Sequence, residues 1–83
     1  MKITVRYFAA IREAVGQGSE SLETTAPTLA AVRDQLMARG EPWAQALARG
    51  RAVRVALDQT LCEESVALHD GCEVAFFPPV TGG

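Results

Sequence analysis

The sequence predicts an α+β domain, a mixed sheet crossed on one face by one main helix. Three observations predict it. Strict alternation opens the chain, with Ile3, Val5 and Tyr7 on one face and Lys2, Thr4 and Arg6 on the other. A helical repeat of Leu29, Val32 and Leu36 follows at i, i+3, i+7. Near the end, Glu73–Phe77 carries Val74, Ala75, Phe76 and Phe77 and has no polar face. Such a strand is central in its sheet or half covered by a partner. The first and last strands are the most apolar, so they belong side by side in the middle, in parallel, with the helix supplying the crossover.

Taken in order, residues 2–9 read as the first strand. Ile11–Val15 suits a helical turn ended by Gly16, and Gly16-Gln17-Gly18 a reversal of direction. Residues 19–25 alternate weakly around Leu22 and suit a half-exposed strand paired with the first. Thr28 is a plausible N-cap for a helix over 28–39, although Ala31 stands where a capping box places Glu or Gln. Arg33, Asp34 and Gln35 fall off the apolar stripe of that helix, and Gly40 ends it. Residues 41–48 suit a short helix with Pro42 in its first turn and Trp43 packed against the sheet. Val53, Val55 and Leu57 alternate as a third strand, Asp58-Gln59-Thr60 is turn-like, and Leu61-Cys62 is a short bridging strand. Asp70-Gly71 is a turn that feeds the last strand.

Beyond Phe77 the pattern changes. Pro78 and Pro79 fix φ and lack N–H donors, so they cannot continue a central strand ladder, and Pro79 holds Pro78 in extended geometry. The reading is a domain over 1–77 and an extended tail over 78–83. Fully extended, Pro78 to Gly83 spans roughly 20 Å. Gly82 and Gly83 have no side chains, so the distinctive group at the tip is the α-carboxylate of Gly83, held out for insertion into a partner.

Composition narrows the function. Eighty-three residues make one domain. A chain of this size buries roughly 60 % of its unfolded surface. Eight basic against ten acidic residues leave a net charge of −2 and no electrostatic footprint for nucleic acid. No apolar run approaches the roughly 20 residues that span a bilayer, and the first residues hold no signal-peptide core, so a cytoplasmic chain without membrane partners is expected. Cys62 and Cys72 read as unpaired thiols of a reducing compartment. A lone His69 beside a turn, with no nucleophile linked to it, points to neither metal nor triad chemistry. Arg49, Arg51 and Arg54 lack interleaved aromatics and read as a solvated face. No acid–base pair or nucleophile constellation makes the chain an enzyme by itself.

The pattern and the tail resemble the ubiquitin-like β-grasp proteins that end in Gly-Gly. More narrowly, the chain resembles the small, sulfur-carrying subunits of molybdopterin synthase. The resemblance rests on Phe8-Ala9-Ala10-Ile11-Arg12-Glu13 with Gly16, on Pro27-Thr28-Leu29, on Asp58-Gln59-Thr60-Leu61, and above all on the run from Leu68, Asp70 and Gly71 through Phe76-Phe77-Pro78-Pro79-Val80-Thr81-Gly82-Gly83. Two positions depart from it: Cys72 stands where an acidic residue is expected, and Asp58 where the family usually has Asn.

The resemblance implies a mechanism. A partner of the E1-like adenylating class activates the Gly83 carboxylate with ATP as an acyl-adenylate. A sulfurtransferase supplies sulfur, giving a thiocarboxylate (1-thioglycine). The large synthase subunit, in a heterotetramer, uses that sulfur on cyclic pyranopterin monophosphate in molybdenum cofactor biosynthesis. No cofactor is permanently bound, and the catalytic side chains belong to the large subunit. Gly82 and Gly83 let the backbone enter a narrow channel. Pro78, Pro79, Val80 and Thr81 set reach and register, while Phe77 and Leu61 offer apolar contacts and Arg12 a polar one. Other Gly-Gly carriers, for thiamine or cysteine biosynthesis, share the fold and the ending, as do ubiquitin-like modifiers, but Phe-Phe-Pro-Pro-Val-Thr is not expected before their glycines. A plain binding module, with no chemistry at its end, is the alternative of a different class.

Overall fold

The computed structural model describes residues 1–79. The elements run β1 (Lys2–Tyr7), α1 (Ala9–Val15), β2 (Ser19–Glu23), α2 (Leu29–Met37), α3 (Trp43–Ala46), β3 (Arg54–Leu57), β4 (Thr60–Cys62) and β5 (Glu73–Phe77). One mixed sheet has the order β2-β1-β5-β3-β4. β1 and β5 pair in parallel at its centre, with Val5 opposite Val74 and Tyr7 opposite Phe76. The expected α+β architecture, with the first and last strands adjacent and parallel, is the observed one.

The helices cover a single face of the sheet. Ile3, Val5, Tyr7, Val74, Phe76 and Val55 point to that face and meet Leu29, Val32 and Leu36 of α2 in one core. Val74 and Phe76 are wholly buried, and burying a side chain of that size contributes about 1.5–3 kcal/mol each. Thr28 caps α2 as its sequence suggests, its Oγ1 accepting a hydrogen bond from the Ala31 N–H at 3.3 Å. Gly16 ends α1 at φ 80°, in the left-handed region that glycine enters without a Cβ clash, and its N–H donates to the Arg12 carbonyl. Gly71, also at φ 80°, turns the chain into β5, and its N–H donates to the Lys2 carbonyl at 2.8 Å.

Several boundaries differ from the pattern for local reasons. β1 stops at Tyr7 because the chain turns at Ala9, φ 52°, into α1. β3 begins at Arg54 rather than Val53, where pairing with Phe77 begins. Trp43 packs half-buried at the end of the sheet, donating from Nε1 to the Tyr7 hydroxyl at 3.3 Å, beneath the Arg39 guanidinium. Glu20 accepts from the Tyr7 hydroxyl at 2.8 Å and from both Arg39 nitrogens. Arg39 holds the Glu20 carboxyl below its ordinary range, while burial, reinforced by Glu20, pushes the Tyr7 hydroxyl well above its own.

The main correction concerns Arg33. The wheel places it off the apolar stripe, but it is 3 % exposed and lies between α2 and the end of α3. Its Nε donates to the Leu47 carbonyl at 2.8 Å, Nη2 to the Ala48 carbonyl at 2.9 Å and Nη1 to Glu64 at 2.8 Å. The fork ties α2, α3 and the loop after β4 together, with Arg49 joining from outside through Asp34 and Glu64. A buried guanidinium is tolerated because each of its three nitrogens has an acceptor. Arg33→Met removes the donors and leaves two carbonyls without partners. We expect a loss of about 2–4 kcal/mol in urea unfolding, against a change within about 0.5 kcal/mol if the fork is dispensable.

Candidate functional site

The face of the sheet away from the helices is divided. Lys2, Thr4 and Arg6 of β1 and Ser19, Ser21 and Glu23 of β2 share its polar half, as their register requires. The other half is apolar. Ala75 of β5 lies opposite Ala56 of β3, which lies opposite Leu61 of β4. Two alanines side by side leave a low floor between larger neighbours. Phe8, Phe77 and Leu61 form walls around it, and Pro78 and Pro79 close one end. The resulting hollow measures about 920 Å³.

Its walls follow from two aromatic pairs in sequence, Tyr7-Phe8 and Phe76-Phe77. Consecutive strand residues point to opposite faces. Tyr7 and Phe76 therefore stack inside the core, centroids 6.3 Å apart, while Phe8 and Phe77 meet edge to face outside, at 6.4 Å and 88°. The parallel pairing continues to the Phe8 N–H, which donates to the Phe76 carbonyl. Leu61 is 63 % exposed and Phe8 37 %, and Phe77 is half-buried. None of the three is spent in the core. An exposed leucine on a short edge strand beside two aromatics forms a contiguous apolar patch on the open face.

Pro78 also lines a second, small cavity of about 90 Å³ between α1 and the segment before β3, against Ala10, Ala14 and Val53. The foot of the tail is therefore seated on the domain, and Pro79 beyond it is exposed. Val80, Thr81, Gly82 and Gly83, to which the sequence assigns register and reaction, lie outside the described residues. Arg12 stands apart from the hollow. It sits on α1 over Gly18, where an added Cβ would come within 3.2 Å of its Nε, in a polar depression that shares only Ala9 with the apolar one.

Sequence patterning overlooked the floor and one wall. Ala56 and Ala75 carry no signal by themselves, and their role emerges only from the register that places them together. Phe8 was read only as part of the first strand over 2–9, and its place on the wall follows from the turn at Ala9. The two cysteines take no part: Cys72 is fully buried, Cys62 is half-buried with its thiol pushed up by burial, and both are free.

The β3–β4 turn that carries Leu61 is tied to β5. Asp58 and Gln59 both have positive φ, as a two-residue hairpin loop of type I′ requires. Asp58 Oδ1 accepts from the Glu73 N–H at 2.9 Å, and Oδ2 pairs with His69 Nε2 at 2.8 Å. The Glu73 amide, then His69, holds the Asp58 carboxyl below its ordinary range, and Asp58 holds the His69 imidazole above its own.

The sheet order and the crossing helix define a ubiquitin-like β-grasp domain, with an apolar hollow on the open face beside the exit of the last strand. The chain matches the ThiS family over residues 5–83, and it belongs to that family. It is 44 % identical over 81 residues to the molybdopterin synthase sulfur carrier subunit of Haemophilus influenzae, covering 98 % of this chain and 99 % of that protein. Identity and coverage are the same for the sulfur carrier subunit of Escherichia coli. Among solved structures, a chain of the Helicobacter pylori complex of subunits 1 and 2 of molybdopterin-converting factor is similar over the full length of both chains, with a TM-score of 0.68 and 26 % identity.

Two predictions follow from this geometry. Because His69 is raised and Asp58 lowered, their pair contributes fully between the ordinary values of about 4 and about 6.5. The contribution fades as pH rises through the folded pKa of His69, or falls through that of Asp58. NMR titration is expected to give a His69 pKa above about 6.5 that drops in Asp58→Asn, and an unchanged titration would contradict the tie. Phe77→Ala is expected to cost the fold less than about 1.5 kcal/mol in urea unfolding, because the ring is half-buried outside the core, and a loss above about 3 kcal/mol would make Phe77 a core residue.

Proposed function

We propose that this chain is the sulfur carrier of a molybdopterin synthase, delivering sulfur from the carboxyl end of Gly83. The observation that carries the reading is its similarity, over nearly its whole length, to two sulfur carrier subunits. The apolar hollow at the foot of the tail supports it, because a carrier needs a dock beside the group it delivers. Its partner is a large subunit, a reading supported by the two-subunit Helicobacter pylori complex.

The chemistry follows from the carboxylate. Ionised at neutral pH, it is a poor electrophile until one oxygen becomes a leaving group. An E1-like enzyme transfers AMP from ATP to the Gly83 carboxylate and releases pyrophosphate. Sulfur at the sulfide level, from a sulfurtransferase, attacks the acyl carbon and expels AMP, leaving a thiocarboxylate. In the synthase that sulfur passes to cyclic pyranopterin monophosphate, and an oxygen from water returns the carboxylate. Both activated forms hydrolyse in bulk water, so the tip reacts enclosed by its partner. Pro78 and Pro79 reduce the entropy lost on insertion, since their backbone is already restricted. The chain contributes positioning and the reactive end, and its partners contribute the catalytic side chains.

Deleting Gly83, or adding a residue after it, is expected to abolish sulfur transfer in a reconstituted synthase assay and to leave the thermal unfolding midpoint unchanged. Sulfur transfer by the deletion variant would overturn the reading, and a large fall in the midpoint would make the tail structural.

A further inference from the structure

Two charged residues, Arg6 and Glu73, also line the apolar hollow, and the carrier reading uses neither. Arg6 reaches from the polar half of the open face and lays its guanidinium over the Phe8 ring, 5.1 Å from the centroid. Among the described residues its guanidinium makes no hydrogen bond. Its nearest carboxylate, Glu73, stands at 3.9 Å, long for a hydrogen bond, so the pair leaves the five donors of Arg6 unused. The side chain is 42 % exposed and lines the hollow together with Phe8, Phe77 and Leu61.

That placement restricts what can cover the hollow. A surface that seals Phe8 and Phe77 also strips water from the guanidinium that lies over Phe8. A desolvated guanidinium without an acceptor is costly, and Glu73 is too far away to serve all its donors. The guanidinium lies over the ring, 5.1 Å from its centroid, so a surface that covers Phe8 meets its donors as well. Two parallel N–H groups match the two oxygens of a carboxylate, a geometry that lysine cannot reproduce. We propose that Arg6 is a specificity-determining residue of the docking face, selecting a partner protein that presents an Asp or Glu carboxylate against the outer edge of Phe8. The proposal rests on the docking reading above and identifies the chemistry of the surface that docks.

The test measures association and dissociation of the large synthase subunit encoded in the same genome, from low salt to about 0.5 M, where exposed charges are largely screened. It compares the wild-type chain with Arg6→Gln, Arg6→Lys, Glu73→Gln and Phe77→Ala. Arg6→Gln is expected to dissociate roughly tenfold faster, associate several-fold more slowly at low salt, and lose most of the salt dependence. Arg6→Lys restores the association rate but not the slow dissociation. Glu73→Gln, which removes the internal competitor, binds as tightly as wild type or more tightly, and a tenfold loss there would overturn the proposal. Weakened binding of Arg6→Gln with an unchanged salt dependence would overturn the carboxylate in favour of an uncharged acceptor. Wild-type affinity of Arg6→Gln alongside a weak Phe77→Ala would overturn the role of Arg6 and leave the dock standing. If Phe77→Ala also binds like wild type, the docking reading fails and the proposal fails with it.

Discussion

The parallel pairing of β1 with β5, in the register that sets Tyr7 beside Phe76, is the constraint on which the rest depends. It joins the two ends of the sequence at the middle of the sheet. A slip by one residue would set Tyr7 beside Phe77 or Ala75 instead, so that one strand turned its apolar set out of the core. The same register therefore builds the core and the open-face hollow at once. The stacked pair closes the inside, the edge-to-face pair walls the outside, and Ala75 against Ala56 keeps the floor between them low.

The supporting ties are placed where that register needs them. The Gly71 turn and the Lys2 amide, which donates to Asp70 at 2.9 Å, fix where β5 starts against β1. Asp58 fixes the β3–β4 hairpin to the first residue of β5, and so sets where Leu61 stands. Arg33 works on the opposite side, closing the helical layer through carbonyls that would otherwise lack donors. Polar groups thus set the register, and apolar burial supplies most of the stabilisation, as is usual for a small core.

Much of this was legible in the sequence. Alternation in residues 2–7, the Leu29–Val32–Leu36 stripe and the two-sided apolar strand at 73–77 gave the architecture, including the parallel centre, because burial on both faces is incompatible with an edge. Leu61 stands exposed and Phe77 half-buried, both lining the hollow on the open face. Arg33 was not legible, since periodicity treats arginine as polar whatever acceptors the fold brings to it. Arg6 was read only as the polar side of a strand, because its stacking on Phe8 depends on the turn at Ala9. Arg12, assigned to the dock by resemblance, lies in a neighbouring depression. The small floor residues and the separation of Arg12 are consequences of register and of the β1–α1 turn, which short patterns do not encode.

The central claim of the proposed function is that the carboxyl end of Gly83 carries sulfur. The most direct measurement is the intact mass of the chain after incubation with ATP, an E1-like adenylating enzyme and a sulfur source, with fragmentation to locate the change. The account predicts one oxygen replaced by one sulfur, confined to Gly83. A chain that stays at its unmodified mass, or that appears as an amide conjugate on a lysine of another protein, would contradict it.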